Sequence, residues 1–264
     1  MKLGFIGCGN MASAIMSGII SNGLIQADEI IGADVFAPSK EKAKATLGIQ
    51  IAESNIEVVK KADAFVLSIK PQFYAQVIAE IKDYVKENQI IITLAPGKTL
   101  KWLEEQFGKP VKLIRTMPNT PAMVQEGMTA ACASTSVTTE ELAYVCDILK
   151  AFGDVEVVPE KLMDAVVAVS GSSPAYVFMM IEAMADAAVA EGMPRNQAYK
   201  FAAKAVMGSA KMVLETRKHP GELKDMVCSP GGTTIEAVKV LEETGFKSAL
   251  MQAMEVCAEK SRSL

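Results

Sequence analysis

Six residues near the start of the chain, Gly7-Cys8-Gly9-Asn10-Met11-Ala12, have the types and the spacing to hold a pyrophosphate. They fit the pattern G-x-G-x-x-G/A. Gly7 permits a tight turn, Gly9 lets the backbone come close to phosphate oxygens, and Ala12 lets a helix pack closely on a strand. The free N–H groups of a helix start, with the helix dipole behind them, supply the attraction for the anion. The short pattern is informative because of its context. Lys2–Ile6 is an apolar run that reads as a strand, and Met11–Ile20 carries apolar residues at helical spacing. A dinucleotide loop therefore runs from Ile6 to Ala12.

The adenosine end of such a ligand is read near the end of the second strand. Asp34 could accept from a ribose 2′-hydroxyl, which favours NAD. Ser39 and Lys40 lie just beyond and could hold a 2′-phosphate, which favours NADP. The residues leave both readings open. Two further strand ends belong to the same crevice, because ligands of open parallel sheets sit beyond the carboxyl ends of the strands. Ser68-Ile69-Lys70-Pro71 closes one strand and Ala95-Pro96-Gly97 another, so Ser68, Ile69, Lys70, Pro71, Ala95 and Gly97 are expected to line the cofactor.

A second constellation lies far downstream. Ser229-Pro230-Gly231-Gly232-Thr233-Thr234 is a glycine turn followed by two hydroxyl residues where a helix begins. Free N–H groups and two hydroxyls make a pocket suited to a carboxylate; a plain glycine turn with threonine capping explains the same residues. Gly171-Ser172-Ser173-Pro174 is a small-residue break before another helix, and it either brings backbone near a nicotinamide or turns the chain. His219, before Pro220-Gly221, reads as a loop residue.

The elements that must position these groups alternate through the first 159 residues. Glu29–Ala33, Ile49–Ala52, Ala64–Ile69, Ile90–Leu94, Val111–Arg115, Met128–Ala133 and Val155–Val158 read as later strands. Helical segments lie between most of them: Ser39–Leu47 with Ser39 as N-cap, Ser54–Lys61 with a Ser54/Glu57 capping box, Phe73–Val85, Thr99–Phe107 and Thr138–Phe152. Short strands apolar on both faces imply a mostly parallel sheet covered on both sides. From residue 160 the strands stop. Pro174–Gly192, Pro194–Arg217 and Thr233–Lys260 are long helical stretches rich in Ala and Met. The fold class is α/β: a Rossmann-type domain over 1–159, followed by an all-helical domain over 160–264.

Composition removes several alternatives. The chain has 264 residues, 27 Lys and Arg against 31 Asp and Glu, and a formal net charge of −4, which gives no electrostatic grip on nucleic acid. A single His leaves little for imidazole acid–base chemistry or a mixed Cys/His metal site, so no metal is expected. Five scattered cysteines without a C-x-x-C pair suit reduced thiols in a cytoplasmic protein. Lys2 to Asp28 contains no charge between its ends, and Ala165–Ile181 none at all. Glycine, serine and asparagine interrupt the first and Ser170–Pro174 the second, so neither export signal nor membrane span is expected.

The chain resembles the pyrroline-5-carboxylate reductases from end to end. The resemblance rests on Phe5-Ile6-Gly7-Cys8-Gly9-Asn10-Met11, Ile69-Lys70-Pro71, Met117-Pro118-Asn119-Thr120-Pro121 and Ser170-Gly171-Ser172-Ser173-Pro174-Ala175-Tyr176. Its most specific part is Ser229 to Ala237 running on to Leu241-Glu242-Glu243-Thr244-Gly245-Phe246. It implies NAD(P)H-dependent reduction of 1-pyrroline-5-carboxylate to L-proline, with NADPH, or NADH, as cofactor. It also implies a helical domain interlocked with its partner in a homodimer, which in many members assembles into a decamer. Asn55 maps near the adenosine ribose, and Ser229, Gly231, Gly232, Thr233 and Thr234 map around the substrate. Met226 stands where some relatives carry a cofactor-contacting Asn, which puts that contact in doubt.

The substrate is a cyclic imine, so its C=N carbon is already electrophilic once the nitrogen is protonated from solution. Orientation and charge stabilisation are then the main demands on the protein. The expectation is that the N–H groups of Gly231–Thr234 hold the carboxylate and that Thr234, the catalytic residue, hydrogen-bonds the imine nitrogen. The site is expected where the two domains meet, with a partner subunit able to complete it. A β-hydroxyacid dehydrogenase would need a base, usually a Lys on the first long helix of the second domain. Pro174–Gly192 contains none. A non-catalytic dinucleotide-binding regulator would not need the Ser229–Thr234 loop.

Overall fold

The computed structural model describes residues 2–263. In chain order the elements are β1 (Leu3–Ile6), α1 (Asn10–Ser21), β2 (Ile30–Ala33), α2 (Ala37–Leu47), β3 (Gln50–Ile51), α3 (Asn55–Lys61), β4 (Ala64–Leu67), α4 (Tyr74–Ile81), β5 (Ile90–Thr93), α5 (Leu100–Phe107), β6 (Lys112–Met117), β7 (Gly127–Ala133), α6 (Thr139–Leu149) and β8 (Gly153–Val157). The helices α7 (Met163–Val166), α8 (Ser173–Ala190), α9 (Arg195–Thr216), α10 (Pro220–Val227), α11 (Thr233–Glu243) and α12 (Phe246–Arg262) follow.

The eight strands form one sheet in the order β3-β2-β1-β4-β5-β6-β7-β8. Every neighbouring pair is parallel except β6 and β7, which run antiparallel with Ile114 opposite Ala133. The strands β1, β2, β4 and β5 are buried throughout because helices cover both faces. Alternate residues feed two apolar cores. Phe65, Leu67, Ile91 and Leu113 face one, with Tyr74, Ile78 and Ile81 of α4; Phe5, Val66, Ile92 and Ile114 face the other, with Ile15, Met16 and Ile19 of α1. Each fully buried side chain of this size contributes about 1.5–3 kcal/mol.

By compactness the chain divides into one unit of residues 1–172 with 257–264 and a second of residues 173–256. Residues 160–172 belong with the sheet because Met163 and Val167 are buried in its core. The end of α12 belongs there too: the Ser261 hydroxyl donates to Asp164 at 2.6 Å. Within the second unit α8 and α9 form an antiparallel hairpin joined through Gly192-Met193-Pro194, where Gly192 has φ +92°. Many large apolar side chains of that unit remain exposed, among them Phe178, Met179, Phe201, Leu214 and Met251. Glu160–Ala190 is helical, and by length and composition alone it could cross a membrane.

Several local expectations are revised. α2 starts before Ser39, with Phe36 as its N-cap, because Pro38 fits the first turn and needs no N–H partner. The Ser54 hydroxyl does cap α3, accepting from the Glu57 N–H at 3.2 Å. The reciprocal half of the box slips by one residue: Glu57 accepts from the N–H of Glu53 at 2.8 Å. Ser170–Pro174 does not interrupt the chain as a loop. A π-helical turn over Val167–Gly171, closed by Ser172 N–H to the Val167 carbonyl at 2.8 Å, carries it into α8. His219 is not a plain loop residue but the N-cap of α10, its Nδ1 accepting from the Gly221 N–H at 3.1 Å. The Thr233–Lys260 stretch is two helices, divided at Gly245 with φ +79°.

Candidate functional site

The carboxyl ends of β1, β2 and β4 open into a crevice with two lobes. Gly9, Asn10, Met11, Ser68, Ile69 and Lys70 line one, joined by Leu94 and Pro118. Gly9 is the N-cap of α1, and no side chain caps that helix. Its first-turn N–H groups therefore have no partner within the helix. A Cβ built on Gly9 would meet no protein atom within 4 Å, so that position adjoins open space. Gly7 differs: with φ +97° its Cβ would press into the Ser68 carbonyl. Gly7 thus lets β1 and β4 converge, and Gly9 leaves a cradle above α1. Both the open cradle and the uncapped amides fit a pyrophosphate.

Cys8 and Ala12 lie beneath the cradle rather than in it, at 3% and 0% exposure. The Cys8 thiol donates to the Ala33 carbonyl at 3.7 Å. Burial, reinforced by the nearby Asp34 carboxylate, pushes its pKa up to about 12, so it stays a neutral thiol.

The second lobe is lined by Ile6, Gly7, Asp34, Val35, Asn55 and Ile69, with Phe73, Gln76, Val77 and Glu80 contributed by α4 and the turn before it. An apolar slot lined by Val35, Phe73 and Val77 suits an aromatic base. Beside it Asp34, Lys40, Glu53, Ser54, Asn55 and Glu80 make a polar recess. Asp34 is already engaged there. Its carboxylate accepts from the Cys8 N–H at 2.7 Å and the Phe36 N–H at 2.8 Å. A carboxylate has further acceptor positions, so a ribose hydroxyl can still be received.

The structure thus brings Ile6, Gly7, Gly9, Asn10, Met11, Asp34, Asn55, Ser68, Ile69 and Lys70 to one crevice. Ser39, Pro71, Ala95 and Gly97 are not among its lining residues. Ala95 is buried in the core, and Leu94 lines the crevice one residue earlier, held by its N–H to the Tyr74 hydroxyl at 3.3 Å. Gln76, Val77 and Glu80 escape sequence reasoning. Their spacing marks one face of a helix, but only the packing of α4 beside α3 turns that face to the crevice. Among the described residues no group of three or more His, Cys, Asp or Glu could hold a metal.

In the second unit, Gly231 has φ +66° and the Gly232 N–H donates to the Ser229 carbonyl at 3.0 Å, closing a tight turn. A Cβ on Gly232 would collide with the Ser229 hydroxyl. Gly232 is the N-cap of α11, and no side chain caps this helix either. The N–H groups of Thr233, Thr234 and Ile235 are therefore available to an anion. Ser229 and Thr233 are exposed and Thr234 is half-buried.

Comparison with known proteins places the chain in one family. Residues 160–264 match the family model described as pyrroline-5-carboxylate reductase dimerisation, and residues 2–97 match the one described as NADP oxidoreductase, coenzyme F420-dependent. The chain is 53% identical over 266 residues to the pyrroline-5-carboxylate reductase of Escherichia coli strain K12, covering 100% of this chain and 98% of that one. It is 42% identical to that of Methanosarcina acetivorans, covering 100% and 97%. The crystal structure of Plasmodium falciparum pyrroline carboxylate reductase with NADP bound superposes with a TM-score of 0.92 at 33% identity, covering 100% of this chain and 97% of that one.

Proposed function

The chain belongs to the pyrroline-5-carboxylate reductase family, and from that premise we propose how its own residues carry out the reduction. The reaction is reduction of 1-pyrroline-5-carboxylate to L-proline with NAD(P)H, by an enzyme that associates with further copies of itself. When bound, the dinucleotide supplies a hydride. The uncapped start of α1 and the open face of Gly9 take its pyrophosphate, and the slot between Val35 and Val77 takes its adenine. Asn55 and Asp34 receive the ribose.

At the other site the N–H groups from Gly231 to Thr234 hold the substrate carboxylate. The Thr234 hydroxyl hydrogen-bonds the ring nitrogen and supports it as it becomes an amine. The observation that carries this reading is the pair of uncapped helix starts, α1 and α11, each preceded by glycines. One favours a pyrophosphate and the other a carboxylate, and this reaction needs both. No imidazole is required, because protonation in solution already makes the carbon electrophilic.

The test is steady-state kinetics of Thr234→Ala and Thr234→Ser with both NADH and NADPH. We expect the Ala variant to lose about tenfold to a hundredfold in kcat/KM, or ~1.4–2.8 kcal/mol, and the Ser variant to keep most of its activity. An Ala variant as fast as the parent refutes the assignment. NADPH is proposed as a cofactor, with Lys40 in the recess beside Asp34 the one cation there to meet its 2′-phosphate. A cytoplasmic location is proposed from five unpaired cysteines. The exposed apolar faces of α8, α9 and α12 support burial between subunits rather than in a bilayer, and a decamer built from dimers is the proposed assembly.

A further inference from the structure

Glu80, on the solvent-facing side of α4, has no place in the pyrophosphate cradle or the substrate loop. Yet its carboxylate lines both the adenine slot and the polar recess beside it. Asn55, the first residue of α3, donates from Nδ2 to Glu80 Oε2 at 2.9 Å. This contact has a consequence for chemistry, because the two ends of an amide differ. A carboxylate can only accept, so the NH₂ end of Asn55 must be the end turned toward Glu80. The carbonyl Oδ1 is left as the group Asn55 can offer, and among the described residues nothing donates to it. A carbonyl oxygen receives a hydroxyl and repels a phosphate.

We propose that Glu80 is a positioning residue for the dinucleotide. It locks the Asn55 amide with its carbonyl free, so that this end of the crevice is set to receive a ribose hydroxyl. Its charge acts in the same direction. The recess holds three carboxylates, Asp34, Glu53 and Glu80, against one ammonium, Lys40. A 2′-phosphate brings about two more negative charges and meets that imbalance, whereas an unphosphorylated ribose does not. Glu80 therefore holds the cofactor balance closer to NADH than Lys40 alone would set it. The inference rests on the cofactor crevice proposed above.

Replacing Glu80 by Gln keeps the size, removes the charge and ends the lock, since a Gln amide can present either end to Asn55. The experiment is a titration of nicotinamide fluorescence with NADH and with NADPH, giving dissociation constants without turnover. It uses the full chain as parent, Glu80→Gln, Asn55→Ala and the double variant. Thermal melting checks the fold of each. The expected result for Glu80→Gln is an NADH dissociation constant raised about three- to tenfold, with NADPH unchanged or tighter and an unchanged melting temperature. In the Asn55→Ala background the same substitution should change NADH affinity much less, because its route through Asn55 is gone.

Equal affinities in parent and Glu80→Gln, with Asn55→Ala weakened, overturn the role of Glu80 and leave the crevice standing. No change in Asn55→Ala overturns the crevice reading and this inference with it. Equal weakening of both cofactors alongside a lowered melting temperature makes Glu80 merely structural and also overturns the proposal.

Discussion

The backbone N–H of Cys8 donates to the Asp34 carboxylate at 2.7 Å, which fastens the tip of the glycine turn to the end of β2. The other carboxylate oxygen receives the Phe36 N–H at 2.8 Å and sets the entry to α2. One side chain thus shapes both the pyrophosphate cradle and the adenosine end. Asp34→Ala should lose two charge-assisted hydrogen bonds, about 1–3 kcal/mol given partial exposure. Denaturant melts should show that loss, and direct titration should show weaker binding of NADH and NADPH alike. A variant that discriminates between the cofactors while keeping full stability would mean Asp34 only reads the ribose.

The two loop glycines should respond differently to alanine. At Gly7 a methyl group would press into the Ser68 carbonyl with φ at +97°, so Gly7→Ala should be destabilised by about 2 kcal/mol or more. At Gly9 a methyl group meets no protein atom, so Gly9→Ala should melt like the parent. It should nevertheless bind both dinucleotides at least tenfold more weakly, because the methyl stands where phosphate oxygens approach. Calorimetric titration with circular-dichroism melts separates the two effects. Unchanged affinity in Gly9→Ala would remove the cradle from the cofactor site.

Much of this arrangement is legible in the residues, and what is not has a physical cause. The buried strands and the glycine loop announce themselves because burial on both faces and a tight turn each restrict residue choice locally. Leu94, Gln76 and Glu80 do not, because they line the crevice through packing between segments distant in sequence. Ala95 illustrates the limit: strand ends can be read to within a residue, and one residue changes which side chain faces the crevice. His219 and Ser39 are obscured for a different reason. Each sits beside a proline that fits the first helical turn; at α2 it moves the start ahead of Ser39, and at α10 it leaves the His219 imidazole as the cap.

Arg115 poses a test of stability rather than chemistry. Its side chain is 3% exposed in the middle of β6, and it donates to Glu160 at 2.9 Å. The same carboxylate oxygen receives the Leu100 N–H at 2.7 Å, so Glu160 joins β6 and α5 to the segment after β8. Glu160→Ala strands a buried guanidinium and an amide together and should cost about 2–4 kcal/mol. Arg115→Met removes the buried charge itself and should cost less. Urea melts of both variants and of the double variant check this. If Arg115→Met is the more damaging, the guanidinium contributes through packing rather than through the pair.

Cys8 makes stability depend on alkaline pH. Burial, with Asp34 beside it, raises the thiol from its ordinary value of 9.0 to about 12 in the folded chain. Between those values the folded state keeps a proton that the unfolded state has released, so folding opposes ionisation. The contribution is complete below about pH 8 and is lost as pH rises from 9 toward 12. Cys132, pushed up to about 11 chiefly by burial, acts in the same direction. Each such thiol steepens the decline by about 1.4 kcal/mol per pH unit within its window. Urea midpoints between pH 8 and 11 should therefore fall less steeply in Cys8→Ala than in the parent, by about one thiol's share. Equal slopes would mean that the folded chain already releases the Cys8 proton near pH 9, as an exposed thiol would.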